Sequence, residues 1–131
     1  MADYYTAMTV APSIPSDLLS EDNLEFLSTY GIYPADDIDG LIFLSAEEYN
    51  PEGWPVDGGE ANTEDDLEAF FQALIDLSDG RVTWISFELA YMCSKMRPEA
   101  FGGAAVFITA DDVKHISTAG WLAEQVEALK S

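Results

Sequence analysis

Basic residues are nearly missing from this chain: 5 Lys and Arg stand against 25 Asp and Glu in 131 residues, a formal net charge of −20. So anionic a molecule repels nucleic acid and anionic membranes, and direct binding to either is not expected. There is one cysteine, Cys93, and one histidine, His115. A lone cysteine makes no internal disulfide and no zinc set, which fits a reducing compartment. No apolar run approaches the ~20 residues of a membrane helix. The opening residues Met1, Ala2, Asp3 and Tyr4 lack the basic and apolar regions of a secretory signal, so a cytoplasmic location is expected.

What is present suffices for one domain spanning residues 1–131. Hydrophobic residues make up 48% and aromatic residues 12%, which excludes wholesale disorder. A chain of this length buries about two-thirds of its unfolded surface, so it needs no disulfide or metal staple. No repeat, linker or low-complexity tract divides it.

The acidity is uneven. Residues 1–80 hold 19 carboxylates and no Lys or Arg, whereas residues 81–131 hold 6 carboxylates and all 5 basic residues, Arg81, Lys95, Arg97, Lys114 and Lys130. The densest stretch, residues 36–68, contains Asp36, Asp37, Asp39, Glu47, Glu48, Glu52, Asp57, Glu60, Glu64, Asp65, Asp66 and Glu68. Carboxylates within a Debye length of ~8–10 Å repel one another and cost stability. Solubility alone asks for a net charge of roughly 2–8 on a small domain. A salt-rich habitat would spread the charge evenly, and the asymmetry argues against it.

Periodicity yields an α+β domain, a largely antiparallel sheet with about three helices packed on it. Residues 3–11 alternate as a strand that Pro12 and Pro15 should end. Ser16 and Asp17 can cap a helix to about Tyr30, with Leu18, Leu19, Leu24 and Leu27 as core contacts and Gly31 as its stop. Residues 33–40 read as an acidic loop, 41–44 as a buried strand, and 47–62 as an irregular loop rich in Pro and Gly. Residues 63–78 form the clearest helix. Thr63 and Asp66 are spaced as a capping box, and Leu67, Phe70, Phe71, Leu74 and Leu77 recur as one buried face. Residues 82–92 form a strand with Ile85, Phe87, Leu89 and Tyr91 on one side. A loop follows, then a hairpin at 104–109 and 113–116. A last helix begins at Ser117 or Thr118, with Trp121, Leu122, Val126 and Leu129 expected inward.

Candidate chemistry is sparse. Asp37, Asp39 and Gly40 hint at a calcium loop, but Ala35 and Ala46 occupy the first and twelfth positions, where an acid and a bidentate Glu are required. No metal site and no cofactor are expected, beyond unspecific association of divalent cations with the acidic loop. Cys93 and His115 form no recognisable nucleophile and base, because nothing marks an oxyanion site. Glu88 reads as an outward strand residue, and Lys95 and Arg97 as part of a structural loop. Trp54 and Tyr49 have no obvious core position, and an aromatic anchor among charges is the usual composition of an interaction hot spot.

The charge therefore carries the functional expectation. Duplex DNA presents one negative charge per ~1.7 Å, so 19 carboxylates at that density cover ~32 Å. That matches the ~35 Å diameter of a domain this long. The chain is expected to be a non-enzymatic nucleic-acid mimic. It would occupy the basic groove of a host defence or DNA-processing protein through the residues of the 36–68 stretch together with Trp54. The alternative is an acidic interaction module, such as an immunity protein or regulatory subunit, acting through aromatic and acidic hot spots. An enzyme would need a deep pocket with converging polar groups.

A resemblance points the same way. The segment Ala2-Asp3-Tyr4-Tyr5-Thr6 and the block from Phe87-Glu88-Leu89-Ala90-Tyr91-Met92-Cys93-Ser94-Lys95 through Phe101-Gly102-Gly103-Ala104-Ala105-Val106-Phe107-Ile108-Thr109-Ala110-Asp111 resemble small acidic proteins of bacteriophages and mobile elements. The likeness covers about a third of the chain and implies no activity or site residues. In size and charge alone the chain is similar to phage DNA mimics with anti-restriction or anti-CRISPR roles.

Overall fold

The computed structural model describes residues 4–53, 60–93 and 101–130. Strand β1 (Tyr4–Pro15) alternates strictly at its centre: Met8 and Val10 are buried, while Ala7, Thr9 and Ala11 are exposed. It lies between β3 (Leu41–Ala46) and β4 (Ile85–Cys93), antiparallel to both. The prolines do not end it, as the sequence suggested. β1 continues through Pro12 and Pro15 with a register shift between Val10 and Ile14. Pairing with β4 stops at Ala11 opposite Ser86, so the prolines fall where one flank of the strand has no partner and a missing N–H costs no ladder bond there.

Residues 33–40 are also not a loop. They form an edge strand, β2 (Tyr33–Ile38), and a two-residue turn into β3. Asp39 and Gly40 both have positive φ, 56° and 77°, the backbone of a type I′ hairpin turn, which Asp-Gly favours. At the other end β5 (Gly102–Ile108) and β6 (Val113–Ser117) make the expected second hairpin. The six strands run β2-β3-β1-β4-β5-β6 with every neighbouring pair antiparallel. The chain is thus an α+β domain on an antiparallel sheet.

Two helices cover one face of that sheet. Helix α1 (Glu21–Ser28) begins later than expected, after a 3-10 turn at Ser16–Leu18. Leu19 takes extended backbone between them and is buried, so the helix is capped by Ser20, whose hydroxyl accepts from the Asn23 N–H. Helix α2 (Glu64–Leu77) starts at the expected capping box, in which Thr63 and Asp66 each accept from the other's backbone N–H. Leu67, Phe71, Leu74 and Ile75 are buried; Leu77, expected inward, is 71% exposed. Phe71 meets Phe87 of β4 edge-on at 5.2 Å, and Phe70 of α2 lies 4.8 Å from Phe26 of α1. These ring contacts join both helices and the sheet into one core.

Helix α3 (Thr118–Lys130) departs most from expectation. It forms where the periodicity placed it, but Trp121, Leu122, Val126 and Leu129 are not inward: every one of its residues is exposed, Leu129 to 87%. It leaves the sheet from edge strand β6 and lies mainly against β5 and β6. Among the described residues no helix packs across the second face of the sheet. Phe43 and Phe107 are part-exposed there, and Trp84 stacks on Phe107 at 5.8 Å. Among the described residues no helix is long and apolar enough to cross a membrane.

Candidate functional site

Strand order converts the asymmetry of the sequence into an asymmetry of the molecule. β2, β3 and β1 come from residues before 81 and fill one half of the sheet; β4, β5 and β6 come from later residues and fill the other. Helix α1 lies beside β2. The first half therefore carries carboxylates and no Lys or Arg. Among the described residues few ion pairs reach it. Arg81 grips Asp17 with two hydrogen bonds of 3.0 and 2.9 Å, and this guanidinium holds the Asp17 carboxyl below its usual range. The other two pairs are His115 with Glu68 and Lys130 with Glu127.

The residues expected to meet a partner separate into three groups. Asp36 and Asp37 lie on edge strand β2, Asp39 in its turn, and Glu47 and Glu48 just beyond β3; Asp39, Glu47 and Glu48 are exposed. Glu52, Glu60 and Asp65 are also exposed. Trp54 and Asp57 lie outside the described residues, as do Lys95 and Arg97. Three carboxylates have other duties. Asp66 is spent on the capping box of α2, Glu64 accepts a 2.9 Å hydrogen bond from the Tyr49 hydroxyl, and Glu68 is only 8% exposed. Tyr49, for which the sequence offered no core position, is buried.

Glu64 and Glu68 instead gather with a histidine beside a hollow. They stand one helical turn apart on α2, so their side chains share a face. Register places His115 of β6 opposite Val106, a buried residue, and so on the side of the sheet that α2 covers. Its Nε2 lies 2.8 Å from Glu68 Oε2. One ligand atom each from Glu64, Glu68 and His115 falls within 4.8 Å of the others. Glu64 and His115 line a hollow of about 470 Å³ together with Tyr91, Trp121 and Glu124. Burial, then Glu64, raises the Tyr49 and Tyr91 phenols above their ordinary value, and burial, then Asp66 and Glu64, raises that of Tyr30. All three remain hydrogen-bond donors at neutral pH. The Glu-x-x-x-Glu spacing was visible in the sequence, but nothing there tied it to a histidine 47 residues further on.

A second hollow, about 580 Å³, opens on the second face between α3 and the sheet, lined by Glu88, Ala105, Ile116, Trp121 and Leu122 among others. Glu88 is exposed there, as its outward strand position implied. No family model, no curated protein and no solved structure matches the chain.

Proposed function

We propose that the half of the molecule built from α1, β2 and β3 is a docking face for the cationic groove of a nucleic-acid-binding protein, and that the chain acts as a non-enzymatic inhibitor by keeping DNA or RNA out of that groove. One observation carries the reading. Glu21, Asp22 and Glu25 on α1, Asp36 and Asp37 on β2, Asp39 in the turn, and Glu47 and Glu48 beyond β3 share elements that contain no Lys or Arg. Eight charges at duplex density cover ~14 Å, and a six-residue strand such as β2 spans ~20 Å. The footprint is therefore about four base pairs rather than the full turn that the total charge would imitate.

The experiment is inhibition of duplex cleavage by a panel of restriction endonucleases and CRISPR effector complexes. The proposal expects at least one enzyme to be inhibited, with inhibition weakening as salt rises from about 50 to 200 mM. Reversing Asp39, Glu47 and Glu48 to Lys should relieve it, and reversing Glu124 and Glu127 should not. Salt-independent inhibition, or none across the panel, overturns the reading. Silent charge reversals with loss on Trp121→Ala would assign the chain to interaction modules that act through aromatic hot spots.

A further inference from the structure

We propose that Glu64, Glu68 and His115 form a binding site for a divalent first-row transition cation of the Zn2+ or Mn2+ kind. The donor set is mixed, two carboxylate oxygens and one imidazole nitrogen, which distinguishes it from the exposed acidic clusters elsewhere on this protein. Metal–ligand distances of about 2.0–2.2 Å put neighbouring donors roughly 3–4.4 Å apart. The three donors already lie within 4.8 Å, so small side-chain rotations close the site. Two rigid elements hold them. Glu64 and Glu68 ride on α2, whose Leu67 and Phe71 are wholly buried, and His115 is fixed by the β5–β6 hairpin.

Charge gives a second, independent reason. Glu68 is buried to about nine-tenths, and the group paired with it is an imidazole rather than a Lys or Arg. Burying a carboxylate is costly without full compensation. Glu64 and Glu124 line the same hollow, and no Lys or Arg lines it among the described residues. A metal-ligating imidazole is neutral, so the two clustered carboxylates leave two negative charges, which a dication neutralises. The Tyr49 hydroxyl holds Glu64 from behind, the kind of outer hydrogen bond that orients a carboxylate ligand. The His115 side chain is half exposed toward the hollow, so solvent or a small ligand can complete the coordination sphere. Imidazole and carboxylate donors together suit Zn2+ or Mn2+, while Ca2+ takes six to eight oxygens.

The test is calorimetric titration of the whole chain with Zn2+, Mn2+, Mg2+ and Ca2+, backed by the visible absorption of Co2+, whose intensity reports the coordination geometry and whose change in His115→Ala reports loss of the imidazole ligand. The proposal expects one site for Zn2+ or Mn2+, at least 100-fold tighter than for Mg2+ or Ca2+. His115→Ala, a change at an exposed position, should abolish it, and Tyr49→Phe should weaken it roughly 10-fold. Glu47→Gln with Glu48→Gln, which removes acidity elsewhere, should leave it unchanged. Circular dichroism of each variant confirms folding. Several weak equivalent sites, unaltered binding in His115→Ala, or no binding at all would overturn the site and leave a plain Glu68–His115 ion pair. None of these outcomes bears on the acidic docking face.

Discussion

Gly31 is the position where a single methyl group should do most damage outside the core. It follows α1 with φ +82°, and a Cβ there would run into the backbone carbonyl oxygen of Glu48. That carbonyl has little freedom. The next two residues are tied down on either side, Tyr49 N–H to Thr6 O at 2.7 Å and Asn50 N–H to Tyr30 O at 2.9 Å. Gly80 supplies the control, with φ +84° and nothing within 4 Å of an added Cβ. Left-handed backbone costs a non-glycine residue about 1–2 kcal/mol, and both Gly→Ala changes incur it. At Gly31 the displaced strap also weakens two backbone hydrogen bonds, each worth about 0.5–1.5 kcal/mol. Gly31→Ala should therefore destabilise by about 3–4 kcal/mol, and Gly80→Ala by about 1 after the gain from a stiffer unfolded chain. The former is a large fraction of the ~5–15 kcal/mol that holds a domain together. Urea unfolding monitored by circular dichroism measures both. Equal losses in the two variants would refute the close approach as the reason for glycine at position 31.

Three further outcomes follow from the same fold. Burial and Glu64 raise the Tyr49 phenol above its ordinary value near 10; folding thus favours the neutral form, a contribution complete below that pH and lost as pH climbs beyond it. Unfolding midpoints measured between about pH 9 and 11 should fall less steeply in Tyr49→Phe than in the parent. Phe71→Ala should cost about 3–5 kcal/mol by denaturant titration, because the ring is fully buried and meets Phe70 and Phe87. Ending the chain after Thr118, which keeps the hydroxyl bound to Gly103 N–H, should change stability by less than about 1 kcal/mol, since α3 buries no residue.

How much of this was legible in the sequence depends on whether the signal was local. The capping box at Thr63 and Asp66, the stop at Gly31 and the β5–β6 hairpin are local devices, and each stands where its residues predicted. The Asp39-Gly40 pair was also a local hairpin signal, but it was outweighed by the polarity of Asp36 and Asp37, which an edge strand tolerates because one flank faces water. Periodicity failed at α3 for another reason. Spacing shows that Trp121, Leu122, Val126 and Leu129 share an apolar stripe, and it carries no information about whether anything lies opposite. The acidic half became visible only once strand order was known, since a charge bias along the chain becomes a charged face only if the topology keeps those strands together. In the Glu64–Glu68–His115 cluster only the glutamate spacing is local; the histidine comes from β6, and the cluster was missed.

The bare setting of α3 gives the molecule a built-in optical gauge. Trp121 is about half exposed, 54%, so its indole emits from a wet environment, and any body that settles over the helix must dry it and shift its fluorescence to shorter wavelength. Trp84, already stacked on Phe107, provides a steadier background on the sheet. Titrating a suspected target against a Trp54→Phe variant, which removes the third tryptophan, while following emission would therefore separate contact with the C-terminal helix from contact at the carboxylate-rich half, without attaching a dye.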